Sequence, residues 1–407
     1  MIDRPHNRFI VSLKGNFYAL PNTPLPMILT IVGTTAILLY LSLLEVKAYL
    51  CLRTAKREPQ GERQQDTITI LQPILSGDPL LGNALQHNLS TAPTWAKFLW
   101  LIDEADEVAR HLAQTLIQDT DQVEVMLCPP VPPRVNPKAF KLEYALAQVK
   151  TPYLAVLDDD TMLEPQSLSC GLFRLQDGEI FTGLPYYLEG STYWSALTAH
   201  FVNNNSILTY LPTLNFSKPI SINGMFYIMS TETLQKMGGY TSILNDLCDD
   251  YALARLIKQH NGNIIQGTTP VAIQTSAPNA ASYVRLMHRW FVFAQTLLFD
   301  QSIPTQALLL LFLGMPPILL WIGLISLCSS AFGLLSLFVV LLIRYTTLRY
   351  LHQLIFKQPV IFSFWMSLVS ELLQPFHLTH ALIEKRITWR SRLIQVKKDG
   401  TFTYEGI

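Results

Sequence analysis

Charge is what this chain is short of. Only 15% of its 407 residues are charged, against 49% hydrophobic, and 30 Lys and Arg balance 30 Asp and Glu. Soluble domains carry about 25% charged residues, so part of this chain is built to sit in lipid. There is no long Lys/Arg block and the formal net charge is zero, which leaves no phosphate-neutralising surface and sets nucleic acid aside as a partner. The five cysteines, Cys51, Cys128, Cys170, Cys248 and Cys328, make no C-x-x-C pair and no zinc-like spacing with the nine histidines. They read as reduced, buried thiols, in keeping with a cytosol-facing domain. Internal repeats and low-complexity segments are absent as well.

The shortage of charge is concentrated in two runs. Residues 15–44 carry none, and 26–44 alone is long enough to cross the hydrocarbon as a helix. The stretch lacks a small-residue cleavage site and is followed by Glu45 and Lys47, so it reads as a retained anchor rather than a removable signal. Lys47, Arg53, Lys56, Arg57 and Arg63 follow it, against Arg4, Arg8 and Lys14 before it, which places the next domain on the cytoplasmic side. The second run, 301–343, supplies spans at 306–327 and 331–348. A third apolar stretch, 359–373, is short and carries Glu371, so crossing, lying at the interface, or entering and returning all stay open. The basic tail, with Lys385, Arg386, Arg390, Arg392, Lys397 and Lys398, belongs inside and favours an even number of crossings after the middle region.

Between 67 and 303 the pattern turns soluble, with short apolar runs separated by amphipathic stretches. It predicts strands at 67–72, 97–102, 122–127 and 153–157 and helices at 80–89, 108–118 and 140–148. Repeated βα units make a parallel sheet, which binds ligands beyond the carboxyl ends of its strands. The expected organisation is an N-terminal segment (1–25), an anchor (26–46), a linker (47–66), an α/β catalytic domain (67–303), C-terminal membrane helices (304–375) and a cytosolic tail (376–407).

The strand ends point to chemistry. Strand 153–157 runs into Asp158, Asp159 and Asp160, where adjacent carboxylates call for a cation. Asp158 and Asp160, alternating, suit a hard divalent ion that also takes substrate phosphates; a solvated acidic turn is the bland reading. Asp103 closes the second strand, where it could hold a nucleoside or cap a helix. Asp78, in Ser76-Gly77-Asp78-Pro79, could bind or simply make a turn. Asp249 and Asp250 open a helix whose dipole favours ionised carboxylates, and Asp250 is the candidate general base. Arg285, His288, Arg289 and Trp290 precede the membrane hairpin, as pyrophosphate and acceptor contacts or as an interfacial belt.

Taken in order, these pieces resemble the inverting, family-2-like GT-A glycosyltransferases, and especially the ceramide glucosyltransferases. The likeness runs from about Leu29 to the end and includes Asn136-Pro137-Lys138, Gly183-Leu184-Pro185-Tyr186, Gly224-Met225, Gly238-Gly239-Tyr240 and Ile387-Thr388-Trp389-Arg390. It implies a GT-A, Rossmann-like domain with transmembrane helices at both ends, a UDP-sugar donor, Mg2+ or Mn2+, and a membrane-lipid acceptor. Asp103 resembles the nucleotide-contacting aspartate, Asp158 and Asp160 the metal-linked motif, and Asp250 the base, with Asp78, Lys138, Arg289 and Trp290 joining the donor site. The family's Glu-Asp before the base is Asp249-Asp250 here. Leu286 stands where the closing motif has Gln or Arg, which would pass that contact to Arg285 or His288. Ser206 lies near the place of a family histidine. Hopanoid or diacylglycerol acceptors fit the same geometry; a polysaccharide synthase is disfavoured by the few spans, and a non-catalytic scaffold would treat the carboxylates as turns and caps.

Overall fold

The computed structural model describes residues 24–59, 61, 67–117, 120–357, 362–389, 392–396 and 402–404. Arg4, Arg8, Lys14, Arg63, Arg390, Lys397, Lys398 and the start of the third apolar stretch lie outside the described residues. Helix α1 (Pro24–Arg57) has 34 residues, about 51 Å at the usual rise. It therefore continues past the hydrocarbon and through the first part of the expected linker.

Eight strands form the central sheet: β1 (Ile68–Ile74), β2 (Ala96–Asp103), β3 (Val123–Cys128), β4 (Tyr153–Leu157), β5 (Thr161–Met162), β6 (Glu179–Tyr187), β7 (Phe226–Ser230) and β8 (Asn263–Ile273). Their order is β3-β2-β1-β4-β7-β6-β8-β5. β1 pairs parallel with both β2 and β4, whereas β7 runs antiparallel between β4 and β6. The period-2 alternation of strands sorts the core. Ile68, Ile70, Phe98, Trp100 and Ile102 pack on one face with α2 (Leu81–Thr91), α3 (Glu107–Leu116) and, further along, α5 (Pro165–Arg174). Leu71, Leu99 and Leu101 pack on the other face with α4 (Pro137–Leu146) and the helix that Asp249 opens. With both faces covered, the exposed ground for chemistry is the strand ends.

From β6 the chain enters α6 (Tyr193–Asn205), which passes through a π turn (Ser206–Tyr210) into α7 (Leu211–Thr213). After α8 (Thr231–Lys236) come α9 (Asp249–Gln259) and the long α10 (Ala280–Phe299). α11 (Ile303–Leu309) continues by another π turn into α12 (Met315–Leu327), and α13 (Ala331–Phe356) returns. Among the described residues three helices are long and apolar enough to cross a bilayer, Met27–Arg57, Ile303–Leu327 and Ala331–Phe356, with mean hydropathies of 2.2, 2.4 and 1.9. Glycines let α1 and α12 touch: a Cβ on Gly33 would come within 2.6 Å of Leu327, and one on Gly323 within 2.3 Å of Ile37.

The third apolar stretch becomes α14 (Phe364–Leu372) and α15 (Gln374–Ile383). At nine and ten residues each measures about 15 Å or less, too short to cross. Arg344, in the middle of α13, ties this stretch to the bundle: its Nη2 is 2.8 Å from Glu371 Oε2, and its Nε donates to Tyr40 Oη at 2.9 Å. The charge-free run of α13 thus ends on a buried arginine. Nor is the tail free: β9 (Arg386–Trp389), β10 (Arg392–Val396) and β11 (Phe402–Tyr404) form an antiparallel sheet. Ile387, Ile394 and Phe402 pack there against Leu247 and Val292.

Candidate active site

The chain leaves β1 for β2 and β3 on one side, then returns to place β4 on the other. Such a reversal opens a crevice at the carboxyl ends of β1 and β4, and the sequence puts its acidic triplet there. Asp159 accepts from the Leu75 amide across the crevice at 2.8 Å. Asp158 takes its own amide's bond to the Met225 carbonyl, 3.0 Å away at the start of β7. Below it, the buried Trp100 indole donates to Gln72 (2.9 Å), whose amide donates to the Asp158 carbonyl (3.3 Å). The triplet's backbone is thus fixed from three strands.

Asp103 does not cap α3. That task falls to Asp106, whose Oδ1 accepts from Ala109 N at 3.0 Å and Oδ2 from Ser76 N at 2.9 Å; against burial, these bonds hold Asp106 below its usual range. Asp103 instead sits 3.0 Å from Lys141 Nζ, and its buried Oδ1 has no hydrogen-bond partner among the described residues. A buried carboxylate oxygen without a donor is costly, so it marks a place for a ligand. Asp78 behaves as a turn: it accepts from Leu80 N at 2.8 Å and, less closely, from Ser276 N at 3.3 Å.

Lys138 and Lys141 occupy one face of α4, three residues apart. Asn136 starts that helix, accepting from the amides of Lys138 and Ala139 at 2.9 and 3.2 Å, while its own amide donates to the Asp246 and Leu247 carbonyls at 3.0 Å. One side chain therefore sets the start of α4 against the approach to α9. Lys138 Nζ consequently lies 2.6 Å from Asp158 and 3.5 Å from Asp249, and donates to the Gly224 carbonyl at 2.8 Å. Burial opposes its charge, yet Asp158, Asp249 and Asp250 prevail and raise its pKa.

Asp160 has no such cation among the described residues. Burial first, then the charges of Asp158, Asp159 and Asp78, push it up to about 8. Its backbone carbonyl accepts from Gln274 N at 2.8 Å, where β5 pairs with the end of β8. Asp250, at the first turn of α9, is also raised, by burial and by Asp249. Burial there works against the helix terminus, which favours the charged form. Asp250 Oδ1 accepts both Cys248 Sγ and Tyr251 N at 2.7 Å, and Oδ2 faces Gly224. A Cβ at Gly224 would lie 3.0 Å from Asp250 Cβ and 3.2 Å from Oδ2.

α10 carries the closing residues. Trp290 stands edge-on to Tyr187 (5.9 Å between ring centres) and stacks near Phe201 (6.3 Å). Burial first, then the charge of Asp160, raise the pKa of Tyr187, and Arg289 opposes them, so its guanidinium acts on the same side as the triplet. The neighbours offered in place of Leu286 do otherwise. Exposed Arg285 donates to Ser282 at 3.1 Å, and His288 bonds the Arg386 carbonyl at 3.0 Å beside His380. Leu286 itself packs against the cluster of Leu197, Tyr283 and Met287, and Ser206 is buried, donating to the Pro185 carbonyl at 2.7 Å.

The sequence did not single out Lys141, Asp106, Gln274, Tyr210 or Cys248. Lys141 had a signal, its i+3 spacing from Lys138; the others meet the site only through the turns that bring them there. Tyr210, on the π turn, is pushed up to about 12 by burial and the nearby Asp250. Gln274 keeps a buried Oε1 with no partner among the described residues.

The family model "Glycosyl transferase family 21" matches residues 26–402. The chain belongs to that family. This is the ceramide glucosyltransferase family, so the resemblance carried by the motifs holds and this family-21 protein is a glycosyltransferase of GT-A type. Among solved structures, it is similar to a mannosyltransferase from Pyrobaculum calidifontis in complex with GDP-mannose and Mn2+, at 14% identity and a TM-score of 0.46, covering 88% of this chain and 97% of that one. A mycobacterial protein follows at 12% identity and a TM-score of 0.35, covering 63% and 80%. It is the family match that carries the assignment of this glycosyltransferase.

Proposed function

We propose that the protein transfers a hexose, with glucose favoured, from a UDP-sugar to the hydroxyl of a ceramide-like lipid, inverting the anomeric carbon with the help of Mg2+ or Mn2+. The observation that carries this reading is the meeting of three groups around Lys138: the Asp158 to Asp160 edge of β4, Asp249 with Asp250 at the start of α9, and Gly224 between them.

Asp160 supports the cation. Lys138 is engaged by Asp158 and Asp249, so Asp160 is left crowded by carboxylates with no counter-charge of its own among the described residues, a donor set that suits a hard divalent ion. No group of three or more His, Cys, Asp or Glu among the described residues forms a metal cage, so Asp158 and Asp160 would share the ion with the donor's phosphates. When bound, such an ion offsets the charge that builds on the departing diphosphate.

The remaining roles belong to side chains. Asp103 Oδ1 accepts a hydrogen bond from the uridine, while Lys141 holds its other oxygen. Asp250 takes the acceptor hydroxyl's proton on Oδ2, since Oδ1 is occupied by Cys248 and Tyr251. Its raised pKa makes it a stronger base than an ordinary carboxylate. Arg289 and Trp290, on the helix leading to the membrane, flank the donor sugar and the lipid. The catalytic domain faces the cytoplasm in this reading, where nucleotide sugars are found.

The test is transfer of radiolabelled sugar from UDP-glucose into ceramide by wild type, by Asp250→Asn and by wild type with EDTA. Loss of transfer in both comparisons is expected. Undiminished transfer by Asp250→Asn would sink the base assignment, and transfer only to diacylglycerol or a hopanoid would replace the acceptor.

A further inference from the structure

A second polar site lies within the helical bundle. Lys47 on α1 is buried, and its Nζ donates to the Phe312 carbonyl at 2.6 Å. The reason is local: in an α-helix that carbonyl would bond the amide of residue 316, and in a π turn that of 317. Both are proline and have no N–H. The lysine takes the place of the missing donors with one of its three protons. Among the described residues it has no carboxylate within 4.0 Å.

Arg344 meets the same cavity from α13. It is 1% exposed and paired with Glu371, and its Nη1 has no hydrogen-bond partner among the described residues. Lys47, Arg344, Glu371, Asn205, Leu208 and Phe312 all line this cavity, whose volume is about 30 Å³, room for one or two waters. Its charges do not cancel: one carboxylate, Glu371, is paired with Arg344 and acts on Lys47 from further off, so two cations share a single negative charge. A buried positive charge that is only partly offset is costly. The depth is informative as well. Lys47 follows the charge-free run that ends at residue 44, and Arg344 ends the run 301–343, so both sit where apolar helix gives way to polar, the level of lipid headgroups.

The geometry points to a binding site for the phosphate of an anionic membrane phospholipid, whose oxygens enter the cavity to meet Lys47 Nζ and Arg344 Nη1 while the acyl chains lie along the bundle. The cavity admits phosphate oxygens and excludes a whole headgroup by size. This lipid is distinct from the acceptor, and the inference does not depend on which sugar or acceptor the reaction uses. Leu208 lines the cavity two residues before Tyr210, which feels the charge of Asp250; an occupied site would brace the π turn beside the catalytic base.

The test uses the full chain reconstituted in nanodiscs of mixed phosphatidylglycerol and phosphatidylcholine, then released into detergent and weighed by native mass spectrometry. Wild type is expected to retain one phosphatidylglycerol per chain. Lys47→Met should lower that retention roughly tenfold or more, the loss typical of a charge-assisted hydrogen bond. Because Lys47→Met also strips the Phe312 carbonyl, Leu208→Trp is the second variant: it fills the cavity, leaves both cations in place and should lower retention equally. Wild-type retention in both variants, or no preference of wild type for the anionic lipid, would overturn the proposal. Release of the lipid by millimolar inorganic phosphate would overturn the lipid source in favour of free phosphate.

Discussion

Lys138 Nζ lies 2.6 Å from Asp158 Oδ1, so an amine from α4 is the counter-charge of the carboxylate that ends β4. The same amine reaches Asp249 at 3.5 Å, which makes it the electrostatic link between the end of β4 and the helix that carries the proposed base. Lys138→Met should leave those carboxylates facing each other without that amine between them. Expected are a loss of folding stability of about 2 kcal/mol, the partly exposed version of breaking a buried pair, and a fall in kcat/KM of roughly 100-fold. Thermal unfolding in detergent and initial rates of sugar transfer check the two numbers separately.

The proposed base can be probed through its neighbour. Asp250 is held above the ordinary carboxylate range by burial and Asp249, while the bond from Cys248 pulls it down. A base must be deprotonated to act, so activity should fall as pH drops through a value above that of a free aspartate. Cys248→Ala removes the lowering bond and should move this acid limb to higher pH with the plateau rate little changed. Asp250→Asn should instead abolish the limb and cost about 10²–10⁴ in kcat. An acid limb unmoved in Cys248→Ala would argue that another group titrates.

Asp160 gives a prediction in stability. Its ordinary value is 3.8 and the folded site raises it to about 8. Between those values the metal-free folded chain keeps a proton that the unfolded chain has lost, so this group's contribution to stability is present at low pH and declines as pH rises towards 8. Metal-free wild type should therefore lose more of its thermal midpoint between pH 5 and pH 8 (roughly the span of these two pKa values) than Asp160→Asn does. Mn2+ should restore more at the upper end of that range, because proton and cation compete for one carboxylate. Equal pH profiles for the two proteins would remove Asp160 from the metal site.

Gly224 is a steric test of where the base stands. A methyl there would sit 3.0 Å from Asp250 Cβ, closer than ordinary contact, and must displace either the β7 approach or the carboxylate. Gly224→Ala should cost about 1–3 kcal/mol of stability and lower kcat by more than tenfold, since about 1 Å of misplacement is expensive in a proton transfer. Gly77→Ala is the comparison at a glycine whose Cβ would meet nothing within 4 Å; its cost is confined to the positive φ of 119° and should fall on stability, with kcat kept.

The sequence by itself determined the elements and the addresses of the carboxylates. The first four strands form within two residues of their expected positions, because each is a short apolar run whose alternation fixes its two faces, and Asp103 and Asp158 stand at strand ends because the apolar runs stop there. Composition likewise pointed to the three helices that, among the described residues, are long and apolar enough to cross a bilayer, since length and lack of charge are local properties. Only the tertiary structure decided what those residues do to one another. That Asp106 rather than Asp103 caps α3, that Lys138 bridges Asp158 and Asp249, and that Asp250 is raised rather than lowered all depend on groups brought together from distant parts of the chain. The same is true in the bundle, where Lys47 answers a carbonyl 265 residues away. Hydrophobic periodicity is written in neighbours along the chain, whereas charge pairing and desolvation are set by neighbours in space, which no spacing of residues encodes.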